Sequence, residues 1–136
     1  MDFTPYLTFN GECEEAFKFY ERCLSGKITF MMTLGDSPMA EQTAPEWRGK
    51  IMHATLKVGD QVLQGADVLP EAYKKPQGVT IAIGTDDIAE AERVFPALAE
   101  NGAVHMPLQE TFWAHRFGMV TDKFGTPWMV NCEKPA

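Results

Sequence analysis

The residues best suited to acid–base or metal chemistry are the histidines, two of which have polar or aromatic neighbours. His53 alternates with Thr55 and Lys57 along an apolar stretch, whereas His115 follows two aromatic residues in the segment FWAHRF. An imidazole titrates near neutral pH, so it can act as a general base or as a metal ligand. The candidate catalytic residues are therefore His53, Glu110 and His115. The alternative, that each is a hydrogen-bonded structural residue, stays open.

A second group of side chains is suited to holding a ligand. Aromatic rings would stack on a flat or apolar molecule, and a guanidinium would fix an anionic or carbonyl group. The candidate substrate-binding residues are Gln64, Gln109, Phe112, Trp113, Arg116 and Trp128. Two structural alternatives also stay open. The aromatic rings can plug the end of a sheet, and Arg116 can pair with a nearby carboxylate such as Asp122.

The composition limits the classes of protein to which this chain can belong. Its 136 residues are 45% hydrophobic, which is enough for one domain or two small modules sharing a core. A formal charge of −7 argues against nucleic acid and anionic membranes as partners. We find no apolar run of about 20 residues that would span a bilayer, and we expect no signal peptide. We expect a cytoplasmic protein.

The number and spacing of the cysteines indicate a reducing compartment. The three cysteines are odd in number, and no pair has the close spacing of metal ligands. We expect Cys23 and Cys132 to behave as small hydrophobic residues and Cys13 to be exposed on a helix. A catalytic thiol is the less favoured alternative, because nothing in the sequence would lower its pKa.

Periodicity divides the first half of the chain into a strand, a helix and three further strands. Apolar residues spaced three and four apart predict the helix, and Gly26 is well placed to end it. A two-residue turn, Gly59-Asp60, joins the last two strands. Residues 36–49 are expected to form a long surface loop. The predicted elements cover residues 3–9, 12–24, 27–34, 50–58 and 61–67.

The second half repeats this order. A strand over residues 79–84 precedes a helix capped by Asp87, with Glu90 at capping-box spacing and Pro96 expected to kink or shorten its end. A short strand over 103–107 leads to a polar and aromatic loop that carries Gln109, Trp113, His115 and Arg116. A final hairpin turns at Phe124-Gly125.

The two halves are an internal repeat. Phe19 matches Phe95 and Gly26 matches Gly102 at a spacing of 76 residues, whereas the hairpins match at a spacing of 66. The fold class is therefore α+β, with two βαβββ modules over residues 1–67 and 79–136 and a linker over 68–78. Each module has one sheet face without a helix. We expect the two mixed sheets to curl into a cup that holds a ligand.

The motifs PYLTFNG, EEAFKFY and RFGMVTDKFGTPWMVN resemble the PhnB-like branch of the vicinal oxygen chelate superfamily. This superfamily includes glyoxalase I, extradiol dioxygenases and the fosfomycin- and bleomycin-resistance proteins. The resemblance covers essentially the whole chain and implies the glyoxalase-like fold. The label 3-demethylubiquinone methyltransferase is sometimes attached to this branch. The sequence does not support that activity, because it has no glycine-rich strand-to-helix turn.

The resemblance also implies a divalent metal as cofactor. Its ligands would come from the first and fourth strands of each module and would chelate two neighbouring substrate oxygens. Those positions fall on Pro5 or Tyr6, Leu63 or Gln64, Thr80 or Ile81, and Met129 or Val130. Among these residues only Gln64 suits such a cation, so the standard site is not expected in this form. The remaining metal candidates are His53 and Gln64, completed by His115 or Glu110.

Three functional hypotheses follow. The first is a metal-dependent lyase, isomerase or dioxygenase acting on a small oxygenated molecule. The second is a metal-free small-molecule binding protein of the bleomycin-resistance type. The third is a protein whose cup is filled by its own side chains. Relatives in the superfamily commonly form homodimers, some with exchanged modules, and we expect a homodimer here.

Overall fold

The computed structural model describes residues 1–135. The chain forms two compact units, Met1–Lys74 and a second unit that begins at Lys75. Each unit contains one helix and one four-stranded mixed sheet, so the fold is α+β and consists of two repeated modules. We describe each unit by itself.

The first unit follows the predicted order of elements. Its sheet has the strand order β1-β4-β3-β2, in which β1 and β4 are parallel and the other neighbours are antiparallel. The first strand is shorter than predicted. Three short 3₁₀ turns, Leu34–Asp36, Ala40–Gln42 and Pro45–Trp47, lie within or at the edge of the predicted loop. The elements are β1 (Tyr6–Phe9), α1 (Cys13–Leu24), β2 (Lys27–Thr33), β3 (Ile51–Val58) and β4 (Gln61–Asp67).

Helix α1 buries the predicted apolar stripe and one residue that was predicted to be exposed. Cys13 has 0% of its surface exposed, so the prediction of an exposed thiol was wrong. The helix begins at Cys13, whose backbone N–H donates to Asp67 Oδ1 at the end of β4. Because Asp67 Oδ2 also accepts from the N–H of Ile51, one carboxylate ties the helix start to β3 and β4. These two hydrogen bonds orient Cys13, the first helical residue, toward the sheet.

The end of α1 differs in detail from the prediction. Ser25, rather than Gly26, adopts the left-handed conformation, with φ of 53°. Gly26 is needed for a different reason, since an added Cβ would lie 2.8 Å from the carbonyl oxygen of Lys57. The glycine therefore allows the chain leaving the helix to approach β3 closely.

The second unit has the strand order β5-β8-β7-β6, with β5 and β8 parallel and the remaining pairs antiparallel. Its first strand begins two residues later than predicted. The two hairpin strands around the predicted loop are longer than expected, which shortens that loop to residues 110–113. The elements are β5 (Ile81–Thr85), α2 (Ile88–Ala99), β6 (Ala103–Gln109), β7 (Ala114–Thr121) and β8 (Pro127–Glu133).

Helix α2 is capped by Asp87, as predicted, and its side chain accepts a hydrogen bond from the N–H of Ala89. Glu90 does not close the expected capping box directly. The N–H of Asp87 donates to Thr85 Oγ1, and the same hydroxyl donates to Glu90 Oε1. The helix continues through Pro96 to Ala99, so Pro96 does not shorten it, and the alternative of a kink stays a prediction.

Each helix packs an aromatic ring onto a strand glycine. An added Cβ at Gly65 would lie 2.8 Å from the ring of Phe17, and one at Gly118 would lie 2.7 Å from the ring of Phe95. Both rings are buried. Close approach of a helix to a sheet needs a position without a side chain, and glycine provides it.

The β7–β8 turn is built around Asp122. Its carboxylate accepts hydrogen bonds from the N–H groups of Phe124 and Thr126 and from the indole N–H of Trp128. Gly125 has a φ of 92°, which agrees with the predicted use of glycine in this turn. One buried acid thus fixes both the turn and the start of β8.

The strand registers change one detail of the predicted repeat. Leu56 pairs with Leu63 in the first unit, and Val120 pairs with Trp128 in the second. All four side chains are buried. Leu63 and Trp128 are therefore equivalent, at a spacing of 65 (128 − 63) rather than 66. Over residues 1–135, no helix is long and apolar enough to cross a membrane.

Candidate functional site

The face of the first sheet opposite α1, which we call the helix-free face, carries the polar side chains of this unit. Strand β3 alternates between the two faces, with Ala54 and Leu56 buried and with His53 and Thr55 only partly buried. Because Gly65 packs against α1, its neighbour Gln64 projects from the helix-free face. The prediction that His53 and Thr55 share a polar face agrees with this pattern.

Four strands contribute one residue each to a row across this face. Tyr6 on β1 pairs with Gln64 on β4, Gln64 pairs with Thr55 on β3, and Thr55 pairs with Phe30 on β2. Paired residues in a sheet point to the same side. The row therefore places a phenol, an amide, a hydroxyl and an aromatic ring side by side, with His53 two residues from Thr55.

His53 is held by two hydroxyl groups. Its Nδ1 lies 3.1 Å from the hydroxyl of Tyr6, and its Nε2 lies 3.3 Å from Oγ1 of Thr55. The rings of Tyr6 and Phe30 lie 5.7 Å and 5.9 Å from the imidazole centroid. We refer to Tyr6, Phe30, His53, Thr55 and Gln64 as the His53 cluster.

Tyr6 contributes a protonated phenol to this cluster. Partial burial raises the pKa of its phenol above the ordinary value, and the nearby Cys13 raises it further. The phenol therefore stays protonated at physiological pH. A neutral imidazole has one donor and one acceptor nitrogen, and the two hydroxyls complement both. The cluster is a set of fixed hydrogen-bonding groups beside an aromatic surface.

The residues at the superfamily's metal positions do not fit a divalent cation. In the first unit the paired positions on the helix-free face are Tyr6 and Gln64, and in the second they are Ala82 and Met129. The prediction of Thr80 or Ile81 was wrong, because Thr80 precedes β5 and Ile81 pairs with the buried Trp128. Alanine offers no donor, and a thioether suits only soft metals.

His53 does not compensate for these missing ligands. Both of its ring nitrogens already contact a hydroxyl, so coordination through either nitrogen would cost a hydrogen bond. Among residues 1–135, no three His, Cys, Asp or Glu side chains converge as a metal site requires. The residues present therefore do not form the superfamily's standard site.

The aromatic segment of the second unit lies partly in a strand, which the sequence did not predict. Only residues 110–113 form the loop, and His115 and Arg116 belong to β7. Phe112 is 90% exposed and Trp113 is 39% exposed. Trp113 contacts Phe112 and Phe117 edge-on, at centroid distances of 4.8 Å and 5.1 Å. Gln109 ends β6 and pairs with Phe117.

The charged candidates of the second unit are engaged in ion pairs. Glu110 lies 2.9 Å from Lys134 Nζ, and this hydrogen bond lowers the pKa of its carboxyl group. Such a carboxylate is poorly matched to general base catalysis near pH 7. Arg116 lies 3.7 Å from Glu92 on α2 and donates to the carbonyl oxygen of His115. The alternative that Arg116 pairs with a carboxylate is therefore confirmed, with Glu92 rather than Asp122 as the partner.

Trp128 does not face a ligand, contrary to the prediction. Its side chain is 2% exposed, and its indole N–H donates to Asp122 Oδ2 at 2.8 Å. It belongs to the core beneath α2, together with Val130 and Cys132 on the same side of β8. Alternate residues of β8 are buried, and Trp128 lies on the buried side.

Sequence analysis did not assign a functional role to Thr55, Phe30 or the Tyr6 hydroxyl. All three residues belong to the row of paired residues that contains Gln64. The sequence did contain a usable signal for Thr55. It is two residues from His53, and residues two apart in a strand point to the same face of the sheet. The partners on β1 and β2 required a strand register that single-sequence patterns do not provide.

The two repeated modules have the glyoxalase and bleomycin-resistance fold. The fosfomycin resistance protein FosX from Mesorhizobium loti shows the same fold, with a TM-score of 0.63 at 10% identity over 98% of this chain and 92% of FosX. The family model described as 3-demethylubiquinone-9 3-methyltransferase matches residues 1–131, and the chain belongs to that family.

Closer relatives identify the branch. Protein PA1353 from Pseudomonas aeruginosa has a TM-score of 0.89 at 48% identity, covering 99% of both chains. Protein YjdN from Escherichia coli is 35% identical over 98% of this chain and 97% of its own length. A PhnB protein from Bacillus cereus has a TM-score of 0.80 at 25% identity, covering 96% of this chain and 98% of that protein. The chain is a PhnB-like protein with the glyoxalase-like fold.

Proposed function

We propose that this protein binds a small, planar organic molecule at the His53 cluster without a metal ion. The observation that carries the proposal is the position of His53 between the hydroxyls of Tyr6 and Thr55, beside Gln64. These groups offer hydrogen-bond donors and acceptors at fixed positions. Phe30, which is 45% exposed, offers a ring on which a flat ligand can stack.

The ligand class follows from these groups. The cluster contains no aspartate, glutamate, lysine or arginine, so it favours a molecule with carbonyl, phenol or ring-nitrogen groups over a strongly charged one. A few well-placed polar groups beside an aromatic wall are typical of small-molecule sites. Fixed side chains also reduce the ordering cost of binding.

A thermal-shift screen on chelator-treated protein tests the proposal. The panel would contain planar phenols, aromatic ketones and heteroaromatic bases, each measured with EDTA and with added Mn²⁺, Ni²⁺ or Zn²⁺. We expect stabilisation by at least one compound to be unchanged by EDTA and to be reduced by Gln64→Met. Gln61→Met on the same strand is the control, because the Gln61 side chain bonds to Asp60 at the hairpin turn. Stabilisation that requires metal would refute metal-free binding.

Metal-dependent catalysis as a lyase, isomerase or dioxygenase is the second candidate. His53 and Gln64 lie on one face of the first sheet, as this candidate requires, but a metal there would have to replace a hydroxyl contact of His53. Glu110 and His115, which complete this hypothesis, belong to the second unit. The metal arms of the screen distinguish this candidate from the first. Methyl transfer is not part of the proposal, because the β1–α1 connection has a single glycine and the β5–α2 connection has none.

The assembly and compartment remain proposals of the same kind. We propose a homodimer, which the exposed Val104 and Met106 on the edge strand β6 support. Light scattering on the purified chain tests it. Three free and buried cysteines support a cytoplasmic location.

A further inference from the structure

Three methionines lie side by side on three neighbouring strands of the second sheet. Met106 on β6 pairs with Met119 on β7, and Met119 pairs with Met129 on β8. The fourth strand, β5, continues the line with Ala82, which pairs with Met129. We refer to Met106, Met119 and Met129 as the methionine row.

The methionine row lies on the face of the second sheet opposite α2. Met119 follows Gly118, at which an added Cβ would lie 2.7 Å from the ring of Phe95 on α2. Successive residues of a strand point to opposite faces, so Met119 points away from the helix. Paired residues point to the same face, so Met106 and Met129 share this side.

The three side chains are accessible from this face. Met106 is 36% exposed, and Met119 and Met129 are only partly buried. The exposed Ala82 beside Met129 adds no more than a methyl group to the line. The row is therefore not part of the core between α2 and the sheet.

The corresponding line of residues in the first unit has different chemistry. In both sheets the line crosses four strands, from the strand in parallel pairing to the opposite edge. The first unit places a phenol, an amide, a hydroxyl and an aromatic ring there. The second unit places one methyl group and three thioethers there. Sulfur is thus the only ligand atom that the side chains of this line offer.

The spacing of the strands allows the three sulfur atoms to meet. Neighbouring strands lie about 4.8 Å apart, so the outer two methionines stand about 10 Å apart, on either side of Met119. A methionine side chain is unbranched and has three rotatable bonds. The outer two side chains can therefore lean toward a point above Met119 without any movement of the backbone.

We propose that the methionine row binds a soft monovalent metal ion, Cu⁺, through its three sulfur atoms. Thioethers are soft ligands that favour Cu⁺, whereas Mg²⁺, Ca²⁺ and Mn²⁺ favour oxygen. Only Met129 lies at a position of the superfamily's standard metal site, so the proposed site differs from that one in both ligands and metal. The site lies in the second unit and is independent of the His53 cluster.

The test is an anaerobic titration of the full chain with Cu⁺ in competition with bathocuproine disulfonate. We expect one Cu⁺ per chain. Met119→Leu keeps a similar apolar volume but removes the central sulfur. It should weaken binding at least about tenfold, since the loss of a group that only supports a ligand already costs about that much. Met106→Leu on the exposed edge strand should have the same effect, and it tests the site even where Met119→Leu fails to fold.

Two variants control for other sulfur atoms. Met39→Leu removes a methionine that is 51% exposed in the first unit, and it should leave the affinity unchanged. Cys132→Ala removes the buried thiol of the second unit, because thiolates also bind Cu⁺. This variant should likewise retain the affinity of the wild type.

A second measurement identifies the ligands directly. The chain would be labelled with ¹³C at the methionine methyl groups and titrated with Ag⁺, a soft ion that does not change its oxidation state during the experiment. We expect saturable shifts of the Met106, Met119 and Met129 resonances, while Met39 stays fixed.

Four results would overturn the proposal. The first is the absence of saturable Cu⁺ binding, and the second is equal affinity in wild type and both row variants. The third is a loss of binding in Cys132→Ala but not in the row variants. The fourth is a shift of only one resonance of the row with Ag⁺, or equal shifts with Zn²⁺.

Discussion

The Tyr6 hydroxyl lies 3.1 Å from Nδ1 of His53, and this contact joins β1 to β3 across the intervening strand β4. The two residues are 47 positions apart in the sequence. The bond holds the imidazole over the helix-free face of the first sheet. A ligand at the His53 cluster would therefore meet side chains that are already ordered.

Removing this hydroxyl tests whether it organises the site. Tyr6→Phe should weaken binding of a compound from the aromatic panel about fivefold to tenfold, since one hydrogen bond is worth about 1 kcal/mol. The unfolding free energy should change by less than about 1 kcal/mol, because Tyr6 is half exposed. Isothermal titration calorimetry measures the first quantity and urea unfolding the second.

The control for this variant is Tyr73→Phe in the segment that follows β4. It removes the same group from the same unit, outside the His53 cluster. Equal losses of affinity in both variants would show that the Tyr6 hydroxyl has no particular role in binding.

The contact between Gly118 and Phe95 predicts a position that cannot accept a methyl group. Gly118→Ala would bring its Cβ to 2.7 Å from the ring, and the overpacking should lower the unfolding free energy by about 1–3 kcal/mol. Gly84→Ala is the matched control, because it is also a strand glycine and has free space around it. Urea unfolding should separate the two variants, and similar midpoints would contradict the packing described for α2.

The carboxylate of Asp122 is predicted to be essential for the β7–β8 turn. Asp122→Ala leaves the N–H groups of Phe124 and Thr126 and the buried indole N–H of Trp128 without this acceptor. We expect a loss of about 2–4 kcal/mol in urea unfolding. Asp60→Ala, in the exposed turn of the first unit, should cost less than about 1 kcal/mol. Comparable costs would refute the assigned role.

Burial of Cys13 predicts a loss of stability at alkaline pH. Desolvation, with the charges of Asp67 and Glu14, raises the pKa of this thiol in the folded protein. The unfolded thiol loses its proton above about pH 8.5, whereas the folded one keeps it. The unfolded state then binds fewer protons, so the unfolding free energy falls as pH rises, by up to about 1.4 kcal/mol per pH unit.

Urea unfolding of wild type and Cys13→Ala between pH 8 and 10 measures this effect. The variant removes the titrating group, so its stability should fall less steeply with pH, even if its stability at pH 8 is lower. Parallel curves would show that the Cys13 thiol does not titrate differently in the two states.

Local patterns in the sequence were sufficient to predict the order of the elements. The apolar spacing of Ala16, Phe19 and Tyr20 set α1, and Asp87 marked the start of α2. Both halves have the predicted βαβββ order. Periodicity succeeds here because each helix and sheet buries one side only, which leaves a regular pattern of apolar residues.

Contacts between distant segments could not be predicted in the same way. Cys13 is buried because Asp67, 54 residues away, binds its N–H, and no local pattern contains that bond. The spacing of the hairpin repeat was predicted as 66 residues, whereas the strand pairing gives 65. A register error of one position exchanges the two faces of a strand, so it affects the site more than the fold.

The central claim is that a planar molecule binds at the His53 cluster without metal. The most direct measurement is the Hε1 resonance of each of the three histidines during titration of chelator-treated protein with a stabilising compound from the aromatic panel. We predict that the His53 resonance shifts saturably, while His105, bonded to Thr121, stays fixed. A His53 resonance that does not move, or that moves only after a divalent metal is added, would contradict the account.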